Sequence, residues 1–163
     1  MTFIDDSFVA DNGNAGSYFK PREGQNNKVR ILSEKPILGY VQWTNDNKPM
    51  RWKFGENKPE ADYQEGRPRK FLAVVVWNYQ DECVQVWEIT QKTLIDALNE
   101  ITRDSDFGHP NNYDLKITRI GKDINTQYQL MPLSAPLLDH VEAAMQNPGV
   151  NLDALFNGED PFA

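Results

Sequence analysis

Basic and aromatic side chains alternate along several short stretches of this chain: Lys28 and Arg30, then Tyr40 and Trp43, then the unbroken run Arg51-Trp52-Lys53-Phe54. A single-stranded nucleic acid asks for that pairing. Bases stack on flat rings for about 1–3 kcal/mol each whatever their sequence, and the sugar-phosphate backbone needs positive charge along its path. Lys48 in the turn before the third run, the cluster Arg67, Arg69 and Lys70 beyond it, and Trp77 complete the candidate set. Rings in strands are often core instead. Phe71 and Trp87, embedded among Val and Ile, are assigned to packing. For Trp52 and Phe54, whose neighbours Arg51 and Lys53 point to water, stacking and packing are evenly balanced.

Other chemistries lack their marks. There is no Gly-rich phosphate loop with its Lys, no Gly-x-Ser-x-Gly elbow, no His-Glu-x-x-His and no repeated Cys-x-x-Cys. Cys83 is the only cysteine and the histidines are His109 and His140, so neither an intrachain disulfide nor a zinc site is expected. His109, beside Pro110, and His140 read as surface residues, and Asp104 and Asp106 as solvated carboxylates in a helix-ending loop. No catalytic residue, metal or cofactor is expected, and the chain reads as a non-enzyme. An adaptor for protein or carbohydrate without DNA affinity is the alternative, with a nuclease or nucleotide enzyme behind it.

The net charge of −7 argues at first against a polyanionic partner. Its distribution argues the other way. All 17 Lys and Arg lie between Lys20 and Lys122, where they outnumber the acids by two, whereas the residues beyond Lys122 carry six acids and no base. The chain is electrically polarised.

These candidates need strands to hold them. Residues 28–32 and 37–44 alternate as two half-buried strands, 50–54 continues as a hairpin after the Asn45–Pro49 turn, and 55–69 reads as a long exposed loop. Phe71 to Tyr79 and Cys83 to Ile89 are the central hairpin. A helix capped by Thr90 follows, with Leu94, Ile95, Leu98 and Ile101 on one face. Two strands at 113–120 and 127–133 come next, then a second helix opened by Ser134 and Pro136 with Leu137, Leu138, Val141 and Met145 as its stripe. That order predicts a mainly β protein, an OB-like five-stranded Greek-key barrel with an inserted helix and a C-terminal helix. The expected organisation is a flexible arm at 1–17, a binding domain at 18–147 and an acidic tail at 148–163. No run approaches the ~20 apolar residues of a membrane-spanning helix, and the opening with Asp5 and Asp6 lacks the marks of a signal peptide, so the cytoplasm is the expected location.

The tail ends in Glu159-Asp160-Pro161-Phe162 and one Ala. This resembles the acidic tails of bacterial SSB proteins, which close on Asp followed by Pro-Phe and dock the ring on replication and repair partners; here Ala163 follows the Phe. The body, with KVRILS at 28–33, YVQWT at 40–44, KFLAVVVWNY at 70–79, VWEITQKTL at 86–94 and FGHPNNYDLKITRIG at 107–121, resembles small phage single-stranded DNA-binding proteins with an OB fold. The resemblance runs from about Tyr18 to Met131. It implies strand coating without sequence specificity in replication, recombination or repair, inside a phage-infected or prophage-bearing bacterium. It implies partner recruitment through Glu159, Asp160, Pro161 and Phe162. Some proteins of that type hold zinc through Cys and His ligands that this chain lacks. A flexible acidic segment near a basic groove can also occupy it until DNA displaces it. Oligomeric state stays open, a homodimer being one option.

Overall fold

The computed structural model describes residues 3, 16–25, 27–121, 124 and 126–163. Most of the arm expected at 1–17 lies outside the described residues. The chain is mainly β. Seven strands form one antiparallel sheet: β1 (Asn27–Ile31), β2 (Ile37–Trp43), β3 (Pro49–Lys53), β4 (Arg69–Asn78), β5 (Cys83–Ile89), β6 (Asp114–Ile120) and β7 (Gln127–Leu133). Among the described residues two α-helices accompany them, α1 (Lys92–Arg103) between β5 and β6, and α2 (Asp139–Gln146) after β7. No described helix is long and apolar enough to cross a membrane.

The sheet is organised around β4. Along one edge its first half pairs with β2, from Val41 opposite Arg69 to Ile37 opposite Ala73, and its second half pairs with β1, where Val29 faces Asn78. Its other edge pairs with β5 throughout. The ladder is bridged where β1 gives way to β2: Leu32 donates to the Val75 carbonyl at 2.8 Å, and the Ser33 hydroxyl accepts the Val75 N–H at 2.7 Å. The strand order is β3-β2-β4-β1-β6-β7, with β5 outside β4. The near-continuous apolar run of β4 now has its reason, because both of its faces are buried. Val74 and Val76 pack with Trp87, Ile89, Leu115, Ile117 and the Leu94–Leu98 stripe of α1. Phe71, Ala73 and Val75 point the other way, under Leu155 and Val141 from the C-terminal part of the chain.

The helices differ from expectation at their starts. α1 begins at Lys92 with Gln91 in the cap position and no side-chain cap bond, so Thr90 does not cap it. α2 begins at Asp139, and Leu137 and Leu138 stay exposed ahead of it. Leu138 is the residue at the cap, in extended backbone, which shortens the buried stripe to Val141 with Ala144 and Met145 alongside.

One carboxylate fastens the far end of the sheet. Asp114 on β6 receives Arg30 Nε at 2.6 Å, Tyr79 Oη at 2.7 Å and Lys28 Nζ at 3.4 Å. The Arg30 guanidinium also donates to the carbonyls of Asn111 and Ala135. Arg30 and Asp114 are both 1% exposed. Arg30 is therefore a core ion pair and not a phosphate contact, and a charge so buried persists only with such partners. Burial, then the bond to Asp114, pushes the Tyr79 phenol up to about 12 from its ordinary 10. A raised folded-state value favours the protonated phenol. Its stabilising contribution is full below pH 10 and is lost as pH rises through 12. Urea stability measured from about pH 9 to about pH 12 should fall, and Tyr79→Phe should remove part of that fall. Identical pH slopes in the two chains would rule out this role for the phenol.

Candidate nucleic-acid interface

The segment between β3 and β4 is long and polar, yet it folds back on the β2–β3 hairpin instead of standing away. Gln64 donates its backbone N–H to the Trp43 carbonyl at 3.0 Å and its side-chain amide to the Thr44 carbonyl at 2.9 Å. Gln42 donates in return to the carbonyls of Gln64 and Gly66, both at 3.1 Å. Tyr63 lies edge-on to Trp52, ring centroids 6.3 Å apart. This covering settles the fate of Trp52, which is 5% exposed and belongs to the core. Trp43, one face over, is 51% exposed.

The same folding-back builds one wall of a cleft of about 570 Å³ whose other walls come from β2, β3 and the stretch Tyr18 to Lys20. Trp43, Arg51, Arg67 and Arg69 line it, with Tyr18, Lys20 and Glu88. It shares Tyr18, Lys20, Trp43, Arg51 and Glu88 with a second cleft of about 840 Å³ that adds Arg22 and Arg119. The two form one groove, with six cations facing the four acids Glu23, Glu65, Asp81 and Glu88. Arg51 is held by Glu88 in a two-pronged pair at 2.8 and 3.1 Å, and Arg22 meets Asp81 at 3.2 Å. Among the described residues no carboxylate pairs with Lys20, Arg67, Arg69 or Arg119. Lys20, Arg67 and Arg69 are exposed, and the half-buried Arg119 donates to the Pro21 carbonyl at 3.3 Å. Burial raises the Tyr18 phenol above its usual range, with Arg51 opposing and Glu88 and Asp160 adding to the shift.

Of the residues singled out from the sequence, the groove thus gathers Trp43, Arg51, Arg67 and Arg69. Tyr40, Phe54 and Lys70 lie together elsewhere, Tyr40 stacked against Phe54 with centroids 5.8 Å apart and Lys70 Nζ 5.8 Å from the Phe54 ring. Lys28 stands over the Tyr79 ring at 4.4 Å, beside Asp114. Trp77 is half-buried near α2, edge-on to His140 with centroids 5.4 Å apart, and does not line the groove. Lys48 is exposed in the β2–β3 turn. Sequence reasoning missed Tyr18, Lys20, Arg22 and Arg119. The first three carry a signal, an alternating Tyr-x-Lys-x-Arg, and Tyr18 is set in place by a bridge to Val86 of β5.

The C-terminal segment is docked rather than free. Leu155 and Pro161 are buried, and Phe162, Phe156 and Leu152 pack on Val41, Phe71, Ala73 and Val86. The Pro161 carbonyl accepts the Asn151 N–H at 2.8 Å, and the Lys53 ammonium lies 5.8 Å above the Phe156 ring. A Cβ at Gly39 would collide first with the Trp52 carbonyl of β3 and then come within 2.8 Å of Phe71 and 3.0 Å of Phe156, so glycine there serves the strand pairing as well as the approach of the segment. Phe162, read as a partner anchor, faces its own domain, while Glu159 and Asp160 stay exposed.

Among the described residues no group of three or more His, Cys, Asp or Glu is placed to hold a metal ion. Comparison with protein-family models, curated proteins and solved structures finds no match to this chain.

The two tryptophans separate by experiment. Trp52→Ala should cost about 3–5 kcal/mol of stability as a core truncation, and Trp43→Ala, half in solvent, about 1 kcal/mol or less. Equal losses in chemical denaturation would contradict the placement of Trp52 under the Tyr63 segment.

Proposed function

We propose that this chain binds single-stranded DNA without sequence preference along the groove between Trp43 and Arg119, and does no chemistry on it. The observation that carries the reading is the continuity of that groove, in which an exposed indole stands among six cations, four of them free of ion pairs among the described residues. An indole supplies stacking that any base accepts, and the cations follow a backbone. A neutral carbohydrate or an apolar peptide would leave such a row of cations unused.

The fold supports the same reading. Within the sheet, β5-β4-β1-β6-β7 are contiguous, and α1 sits between β5 and β6. That is the neighbour order of an OB barrel opened between its third and fifth strands, with β2 and β3 as an elaboration ahead of the second. OB folds bind oligonucleotides on the face of strands two and three and on the loops flanking it. In this alignment those are β4, β5, the segment carrying Arg67 and the end of β6 at Arg119. The role that follows is strand coating in replication, recombination or repair, as in the phage proteins the sequence resembles.

The test is a fluorescence titration with oligo-dT. Stacking should quench tryptophan emission, Trp43→Ala should abolish most of the quench and weaken binding about tenfold, and affinity should fall steeply with salt. Absence of saturable quenching at low salt would refute the proposal.

The docked acidic segment regulates access in this reading. Phe162, two residues after Asp160, packs on the same apolar cluster as Tyr18 of the groove. The segment's charge competes with phosphate while the apolar side chains hold it nearby at high effective concentration. Asp153→Asn, Glu159→Gln and Asp160→Asn together should raise oligo-dT affinity several-fold at low salt and little at high salt. Truncation at Asn151 should in addition lower the melting temperature, because it uncovers Phe71 and Val41. Unchanged low-salt affinity in the triple variant would remove this regulatory role.

A further inference from the structure

The rings that the groove leaves out form a ladder of their own. Trp52 stacks on Tyr40 with centroids 5.7 Å apart and planes 24° from parallel, and Tyr40 stacks on Phe54 at 5.8 Å and 21°. The ladder begins in the core, where Trp52 is 5% exposed, and ends in solvent, where Phe54 is 58% exposed. Leu38 beside it is 50% exposed. Both open onto a second groove of about 590 Å³, between the β2–β4 strands and α1. Arg69, Lys70 and Lys92 stand along it. Lys92 is engaged by Asp96 at 2.7 Å, whereas no described carboxylate pairs with Arg69 or Lys70. Arg69 and Thr90 border both this groove and the basic cleft, so the two meet at the start of β4.

We infer that Phe54 is a second base-stacking subsite, reached by the DNA strand as it leaves the basic cleft past Arg69, with the base as the next member of the ladder and its phosphate toward Lys70. The inference rests on the cleft being a single-strand site. Three features favour a nucleotide over an apolar peptide as the occupant. The groove is continuous with the cationic cleft, the Lys70 ammonium, with no carboxylate partner among the described residues, lies 5.8 Å from the exposed ring, and Tyr40 stacks on that ring. A ring held in advance loses no rotamer freedom when a base arrives. An apolar peptide would use Leu38 and Phe54 but not the charge.

The test uses the full chain and oligo-dT of two lengths, about 4 nucleotides to fill the cleft alone and about 12 to run beyond it. Phe54→Ala should leave the short-oligonucleotide Kd unchanged and weaken the longer one about tenfold, whereas Trp43→Ala should weaken both. Phe54→Trp should keep affinity, and its added emission should be quenched by the longer oligonucleotide only. That readout decides the matter even if Phe54→Ala proves unstable. Parent affinity of Phe54→Ala for the longer oligonucleotide, with Trp43→Ala still weakened, overturns the subsite while sparing the cleft, and gives the groove to an apolar peptide. Failure of every chain to bind either length overturns both.

Discussion

The structure depends on a strand that is apolar on both sides. β4 carries Phe71, Ala73 and Val75 on one face and Val74 and Val76 on the other, and neither set is left to water. At about 25 cal/mol per Å² of apolar surface, leaving either face bare would forfeit several kcal/mol, a large share of a domain's net stability. Two covers are therefore obligatory. α1 lies over one face through Leu94 and Leu98. Among the described residues no second long helix serves the other, and the chain beyond β7 covers it with the short α2 and then with Leu152, Leu155, Phe156 and Phe162.

That division of labour turns a charge partition along the sequence into a partition in space. The chain beyond β7, which must cover the second face, carries five acids and no base, and its Phe162 packs on the same apolar cluster as Tyr18 of the groove. Lys53 meets it through the Phe156 ring, and Arg51, two residues earlier on the same strand face, turns to Glu88 and the groove. On the proposed reading, a segment that packing holds against Phe71 is thereby also placed to compete for phosphate.

The strands could be read from the sequence almost residue by residue, because alternation and the Asn, Gly and Pro breakers are local signals. The site was legible only in part. Alternation tells that Trp52 and Trp43 lie on different faces, but not which face something distant will cover. Tyr63, brought over by the Gln64 and Gln42 bonds, decides that for Trp52. Arg30 alternates with apolar neighbours as a surface base would, and its partner Asp114 is 84 residues away. The tail shows the same limit. Its composition reported the acids, while the spacing of Leu152, Leu155, Phe156 and Phe162 was the sign of anchoring and had no visible counterpart until Val41, Phe71 and Val86 came together.

The pairing inside the groove bears on how an acidic protein can hold a polyanion at all. Arg51 and Arg22 are compensated by Glu88 and Asp81, so the folded chain avoids the repulsion of six adjacent cations. On the proposed reading, phosphates arrive first at the uncompensated Lys20, Arg67, Arg69 and Arg119. Each such contact releases a condensed counterion from the strand, which makes it favourable at low salt. The compensated pairs then act differently. A bidentate arginine already oriented by a carboxylate presents a fixed plane, and Trp43 beside it presents another, so they shape the groove more than they attract the ligand. Attraction and shape thus fall to different members of one row of arginines, and the net charge of −7 describes neither.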